Sequence, residues 1–204
     1  MKLFSWHSLG YFKPKFFSSS ISEYQDALDF YEKKKFDQAF EILNKIVESP
    51  EKIKENEEKM VSIYQMLGIV LSYQGELEKA KEAIDKALSW SKLHYGDNNT
   101  KTVSCYTCLG EIHHNTGYLQ EALDYYTKAY DMIKDLKVEK EAGVELVHLL
   151  RCMAGIFTET DRFDEAFEYY TKASDISESI YGSEVNPESA ECYLKMGKMF
   201  LWVG

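Results

Sequence analysis

The chain has 204 residues, of which 45% are hydrophobic and 28% charged, with three prolines and a formal net charge of −10. It is long enough to bury a continuous apolar core, yet no stretch approaches the roughly 20 consecutive apolar residues that a membrane-spanning helix needs. An acidic chain is repelled by phosphate backbones at long range, so direct binding of nucleic acid is not expected.

Residues 1–20 stand apart from the rest. They contain Lys2, Lys13 and Lys15, no acidic residue and many aromatics, and they end in Ser18-Ser19-Ser20. A basic, acid-poor, Ser-rich and amphipathic segment has the composition of an organelle import signal. Lys15-Phe16-Phe17-Ser18 resembles a mitochondrial processing site, with lysine where arginine is usual. Residues 1–20 are therefore read as a mitochondrial presequence, with a retained tail on a cytoplasmic protein as the alternative. With 3 of the 24 basic residues and none of the 34 acidic ones in this segment, residues 21–204 carry a net charge of −13. The acidic stretch Glu48 to Glu58 reads as the solvated face of a helix and names no basic partner.

From residue 21 onward one helix-pair pattern occurs four times. The turns and second-helix starts are Lys34-Lys35-Phe36-Asp37-Gln38-Ala39, Gly75-Glu76-Leu77-Glu78-Lys79-Ala80, Gly117-Tyr118-Leu119-Gln120-Glu121-Ala122 and Asp161-Arg162-Phe163-Asp164-Glu165-Ala166. Twelve residues before each of these alanines stands another small residue, at Ala27, Gly68, Gly110 and Ala154. A bulky residue follows at Leu43, Ile84, Tyr126 and Tyr170, and a second helix contact at Ile46, Ala87, Ala129 and Ala173. Small residues at fixed offsets let paired helices approach closely, so the pattern predicts an array of helical hairpins. Glu188 to Gly204 reads as the first helix of a fifth unit, with an apolar end in which Leu201 and Trp202 are a candidate partner contact.

This pattern resembles the tetratricopeptide repeat family. The spacings of 41, 42 and 44 residues between successive alanines exceed the common period of about 34. They resemble the long-repeat branch typified by kinesin light chain, as do the connectors His94-Tyr95-Gly96-Asp97 and Ile180-Tyr181-Gly182-Ser183 with Asn186-Pro187. The resemblance implies an all-α, right-handed solenoid of antiparallel hairpins over residues 21–204, about four hairpins plus a terminal helix. It also implies that ligands lie along the first helices. The inward positions there include Tyr24 and Tyr31, then Gln65 and Tyr73, then Thr107, His114 and Asn115, then His148 and Arg151. Tyr24 and Leu28 stand where the carboxylate clamp of chaperone-binding members would begin, which disfavours a chaperone tail. The mixed polar and aromatic groove suits an extended peptide or a partner helix.

Enzymatic chemistry finds little support. Cys105 and Cys108 have zinc-like spacing and are followed by His113 and His114. On one straight helix, however, His113 lies roughly 140° around from Cys108 and about 7.5 Å along, so the four cannot close on one ion. His113 reads instead as a satisfied core histidine, and the four cysteines as small apolar fillers. No phosphate loop, His-Glu-x-x-His helix or triad arrangement is present. The expectation is a non-enzymatic interaction scaffold without cofactor or metal, a subunit or assembly factor of a mitochondrial multiprotein complex. The alternatives are a cytosolic adaptor like kinesin light chain and a metal- or redox-dependent enzyme.

Overall fold

In the computed structural model, which describes residues 22–134, 136, 140–182 and 186–203, ten α-helices follow in chain order. They are α1 (Ser22–Glu32), α2 (Phe36–Glu48), α3 (Pro50–Glu55), α4 (Met60–Tyr73), α5 (Leu77–Tyr95), α6 (Thr100–Asn115), α7 (Leu119–Lys134), α8 (Lys140–Glu159), α9 (Phe163–Tyr181) and α10 (Pro187–Val203). Residues 1–20, on which the presequence reading rests, lie outside the described residues, as does the side chain of Trp202. No helix among the described residues is long and apolar enough to cross a membrane.

Four pairs, α1 with α2, α4 with α5, α6 with α7 and α8 with α9, pack as hairpins, and α10 lies against α9 and α8. The first helices also touch in sequence, α4 on α6, α6 on α8 and α8 on α10, forming an inner row. This is the all-α helical-repeat fold expected from the alanine landmarks. Its layering follows from composition. α4 buries residues on nearly every side, from Met60 and Val61 to Leu71 and Ser72, because it is packed by neighbours on both flanks. α5 buries a stripe of Ala80, Ala83, Ile84, Ala87 and Ser91 and turns its charged residues outward, as an outer-row helix does.

Each hairpin turn has the same backbone. Lys34, Gly75, Gly117 and Asp161 have φ of 59°, 81°, 85° and 58° respectively. The amide three residues past each first helix reaches back over a full turn: Lys35 N–H to Phe30 C=O (2.9 Å), Glu76 to Leu71 (3.0 Å), Tyr118 to His113 (2.9 Å) and Arg162 to Phe157 (2.8 Å). The left-handed residue itself bonds the carbonyl three before it, so every first helix ends in a Schellman motif. Two of the four left-handed positions lack glycine and carry strain. We expect Lys34→Gly to stabilise the chain by about 0.5–1 kcal/mol, after allowance for the extra freedom glycine has when unfolded. Gly75→Ala should do the reverse by a similar amount, although a Cβ there would meet nothing within 4 Å. Urea denaturation of both variants checks the pair.

The long connectors repeat a second device. Gly96 and Gly182 end α5 and α9 with φ of 82° and 90°. Asn99 then caps α6, its Oδ1 accepting from the Thr102 amide (2.9 Å), and Asn186 caps α10 by accepting from the Ser189 amide (2.9 Å). A fully buried serine on the preceding helix donates to each cap, Ser91 to Asn99 (3.2 Å) and Ser177 to Asn186 (2.7 Å). The helix that closes one hairpin thereby fixes where the next begins.

α10 differs from the other first helices because no described helix follows it. A Cβ on Gly68 would meet Ile84 Cδ1 at 2.6 Å, whereas one on Gly197 would meet nothing within 4 Å. Cys192, Met196 and Met199 are buried. Phe200 sets its ring edge against Phe167, with centroids 5.7 Å apart, yet stays largely exposed, and Leu201 is 83% exposed.

Candidate partner-binding groove

The inner row of first helices carries polar side chains at positions one repeat apart, and the structure joins them into rungs. Between α4 and α6, Gln65 Nε2 donates to Ser104 Oγ (2.7 Å). Between α6 and α8, Thr107 Oγ1 donates to Glu145 Oε1 (2.9 Å), Glu111 Oε1 meets His148 Nε2 (2.7 Å) and His114 Nε2 meets Glu159 Oε2 (3.1 Å). Between α8 and α10, the Arg151 guanidinium bonds the Glu191 carboxylate. A polar group buried between helices must be matched, and each of these is matched by the next repeat.

Of the nine groove residues predicted from the sequence, all but Arg151 line one cavity of about 110 Å³ on the inner face. Arg151 is buried and turned to Glu191 on α10. Tyr24, Gln65 and Thr107 are buried in the cavity floor, and Tyr73 stands at its edge, 43% exposed. The Tyr73 ring stacks on Phe36 with centroids 4.6 Å apart and planes at 4°, and lies 6.4 Å from Tyr31. These three rings form an aromatic shelf beside the opening.

The electrostatics of the cavity follow from its depth. Burial pushes the Tyr24 and Tyr31 phenols well above their ordinary range and, together with the nearby Glu111 carboxylate, raises Tyr73. Burial also raises the Glu145 carboxyl, against the opposing pull of His148 and the Thr107 hydrogen bond. For His148 burial disfavours the charged ring, but Cys152 and Glu111 outweigh it and hold the imidazole well above its usual range. Glu145 and Cys152 were not singled out as groove residues by sequence reasoning, although both stand about one repeat from the inward positions of α6. The signal that could have found them is that spacing between polar residues on successive first helices.

All four cysteines are buried free thiols. Burial pushes Cys105 up to about 12, Cys192 up to about 11 and Cys108 well above the usual thiol range, which suppresses thiolate chemistry. His113 is a core residue, with ring centroids 5.2 Å from Tyr125 and 6.0 Å from Tyr118. It is not satisfied, however, since neither ring nitrogen has a hydrogen-bond partner among the described residues. The position fits a flat ring, and polar satisfaction there depends on neighbours that the sequence pattern does not reveal.

Burial, and then Lys81, lower the His113 pKa below its ordinary value of about 6.5, against the upward pull of Glu121 and Glu78. The unfolded chain therefore takes up the proton first, so this contribution is intact above about pH 6.5 and is lost as the pH falls below it. His113→Phe is expected to stabilise the chain by about 1 kcal/mol at neutral pH and to flatten the decline in stability between pH 7 and 5. Urea unfolding at both pH values tests this.

A solenoid of paired helices with a mixed polar and aromatic inner face defines a protein-interaction repeat fold. Residues 59–135 match the Tetratricopeptide repeat family, the family that the small-residue landmarks resemble. The solved structures it resembles are repeat proteins of the same fold. BtubC (BKLC) from P. vanneervenii shares 18% identity at a TM-score of 0.62, over 81% of this chain and 65% of that one. The apo form of the quorum sensor NprR from B. thuringiensis shares 13% at 0.64, over 89% of this chain and 48% of NprR. The nearly identical TPR-like repeats of a proposed kinesin light chain from Podosopora anserina share 11% at 0.59, over 88% and 84%. The chain thus spans about two thirds of BtubC and about half of NprR. No curated protein sequence matches it.

Proposed function

We propose that the chain is a non-enzymatic scaffold that holds an extended segment of a protein partner along its inner row, as a subunit or assembly factor of a mitochondrial multiprotein complex. The observation that carries the binding role is the aromatic shelf of Tyr31, Phe36 and Tyr73 beside a cavity of about 110 Å³. That volume is below the roughly 300 Å³ at which small-molecule sites begin, yet it can admit one side chain of a peptide lying across the opening. Partly exposed aromatics beside a desolvated recess are where binding energy concentrates in interfaces. The mitochondrial assignment rests on the basic, acid-free composition of residues 1–20.

The test is affinity purification of the tagged full-length protein from isolated mitochondria, with mass spectrometry of its partners and of its N-terminus. A start near Ser18 with a defined set of complex subunits supports the proposal. An intact Met1 with cytosolic motor partners supports a cytosolic adaptor instead. Changing Lys13 and Lys15 to Glu should abolish import. Tyr73→Ala should weaken partner capture about tenfold or more while keeping the chain folded, with a loss of only about 1–2 kcal/mol from the stacking on Phe36 because the ring stands at the edge of the groove.

A further inference from the structure

Three donor atoms from two helices meet beside the cavity. His148 and Cys152 are four residues apart on α8 and so share a face, and Glu111 reaches them from α6. Glu111 Oε1 lies 2.7 Å from His148 Nε2, and Cys152 Sγ lies 3.8 Å from each of those atoms.

Two chemistries use such a trio. A nucleophilic relay needs the thiol on one imidazole nitrogen and the carboxylate on the other, so that one proton is taken while the other is held. Here thiol and carboxylate both face Nε2. That single nitrogen cannot accept from Cys152 while it donates to Glu111, so no relay is assembled. A metal ion, by contrast, requires its ligands to converge on one point. Tetrahedral bonds of about 2.0–2.3 Å place ligand atoms roughly 3.3–3.6 Å apart, and the observed separations of 2.7 and 3.8 Å bracket that range. The three ligand atoms lie within 4.8 Å of one another.

We infer that Glu111, His148 and Cys152 form a binding site for a divalent transition-metal ion of the zinc class, with the fourth coordination position open to the cavity. The donor set selects the class. Thiolate and imidazole favour zinc-like ions, while magnesium or calcium would need several more oxygens than the single carboxylate supplies. A second observation points the same way. Tyr126 is fully buried, its hydroxyl faces Cys152, and it lacks an oxygen or nitrogen partner among the described residues. A thiolate in a metal complex gives that hydroxyl a strong acceptor, as outer-shell donors do in metal sites. The thiol proton leaves to solvent as the ion binds. Because Glu111 is on α6 and the other two ligands are on α8, the ion would join the third hairpin to the fourth. The inference is independent of the proposed partner and location.

The test is titration of the tag-free full-length chain, reduced and metal-free, with Co²⁺ as a spectroscopic probe. Expected are one Co²⁺ per chain, a thiolate-to-cobalt charge-transfer band in the near ultraviolet, and loss of that band when Zn²⁺ is added. Cys152→Ser should remove the band, and Cys105→Ser should keep it. Glu111→Gln and His148→Gln should weaken Co²⁺ binding by at least about 100-fold, the upper end of what loss of outer-shell support alone produces. Circular dichroism establishes that each variant is folded. Should Cys152→Ser fail to fold, the reading passes to the wild type and Glu111→Gln, of which only the first should gain melting temperature with Zn²⁺. Absence of a thiolate band in the wild type overturns the inference, as does a band that survives in folded Cys152→Ser or equal Zn²⁺ stabilisation of Glu111→Gln.

Discussion

Arg151→Ala is expected to lower the unfolding free energy by about 3 kcal/mol, the lower end of the range for breaking a buried ion pair. The guanidinium is buried between α8 and α10, and its partner Glu191 is only 17% exposed. Removing the arginine leaves a carboxylate with few other partners, since its Oε1 already has no hydrogen bond among the described residues. The damage should be local, because among the described residues α10 packs chiefly on α9 and α8. Hydrogen exchange in α10 should accelerate well before exchange in α4 or α6 changes. Replacing both partners with methionine should restore most of the loss, since an apolar pair of similar volume carries no desolvation penalty. Equal destabilisation by the single and double variants would show that the ion pair itself, and not the space it fills, holds α10.

The second large effect is expected at the crossing of α6 and α7. A Cβ on Gly110 would lie 2.3 Å from Tyr126 Cε1 and 2.5 Å from Cδ1. Tyr126 is fully buried and cannot swing aside, so Gly110→Ala should cost about 2 kcal/mol through overpacking despite the better helix propensity of alanine. Tyr126→Ala should cost more, about 3–5 kcal/mol, by opening a cavity. The informative measurement is the double variant. With the ring gone, Gly110→Ala should become neutral or slightly stabilising, giving a coupling energy of about 2 kcal/mol by denaturant unfolding. Tyr126 also faces Cys152, so spectroscopy of metal binding belongs on Gly110→Ala and not on the cavity variant.

These two sites show what a linear reading can and cannot reach. Ala39, Ala80, Ala122 and Ala166 are fully buried at the hairpin crossings, and Gly110 approaches Tyr126 as a small residue opposite a bulky one should. Such contacts are local within a hairpin and recur with the period, so they are legible from spacing alone. The inward faces of the first helices were legible for the same reason, which is why Tyr31, Tyr73 and His148 fall around one cavity. The partners of those side chains were not legible. Whether Glu111 meets His148, or Arg151 turns away to Glu191, depends on how far one hairpin is rotated and slid against the next. That depends on the packing of all the residues between them, not on any pair. His113 shows the same limit from the other side: its ring matches the pattern, but its nitrogens have no hydrogen-bond partner among the described residues.

The rungs of the inner row also bear on how the chain reaches this structure. They join residues only 37 to 45 positions apart, from Glu111–His148 to His114–Glu159. No pairing of that ladder has to wait for the two ends of the chain to find each other, so loop-closure entropy stays small at every step. Low contact order of this kind goes with folding in microseconds to milliseconds, and nucleation can begin in any hairpin and spread to its neighbours.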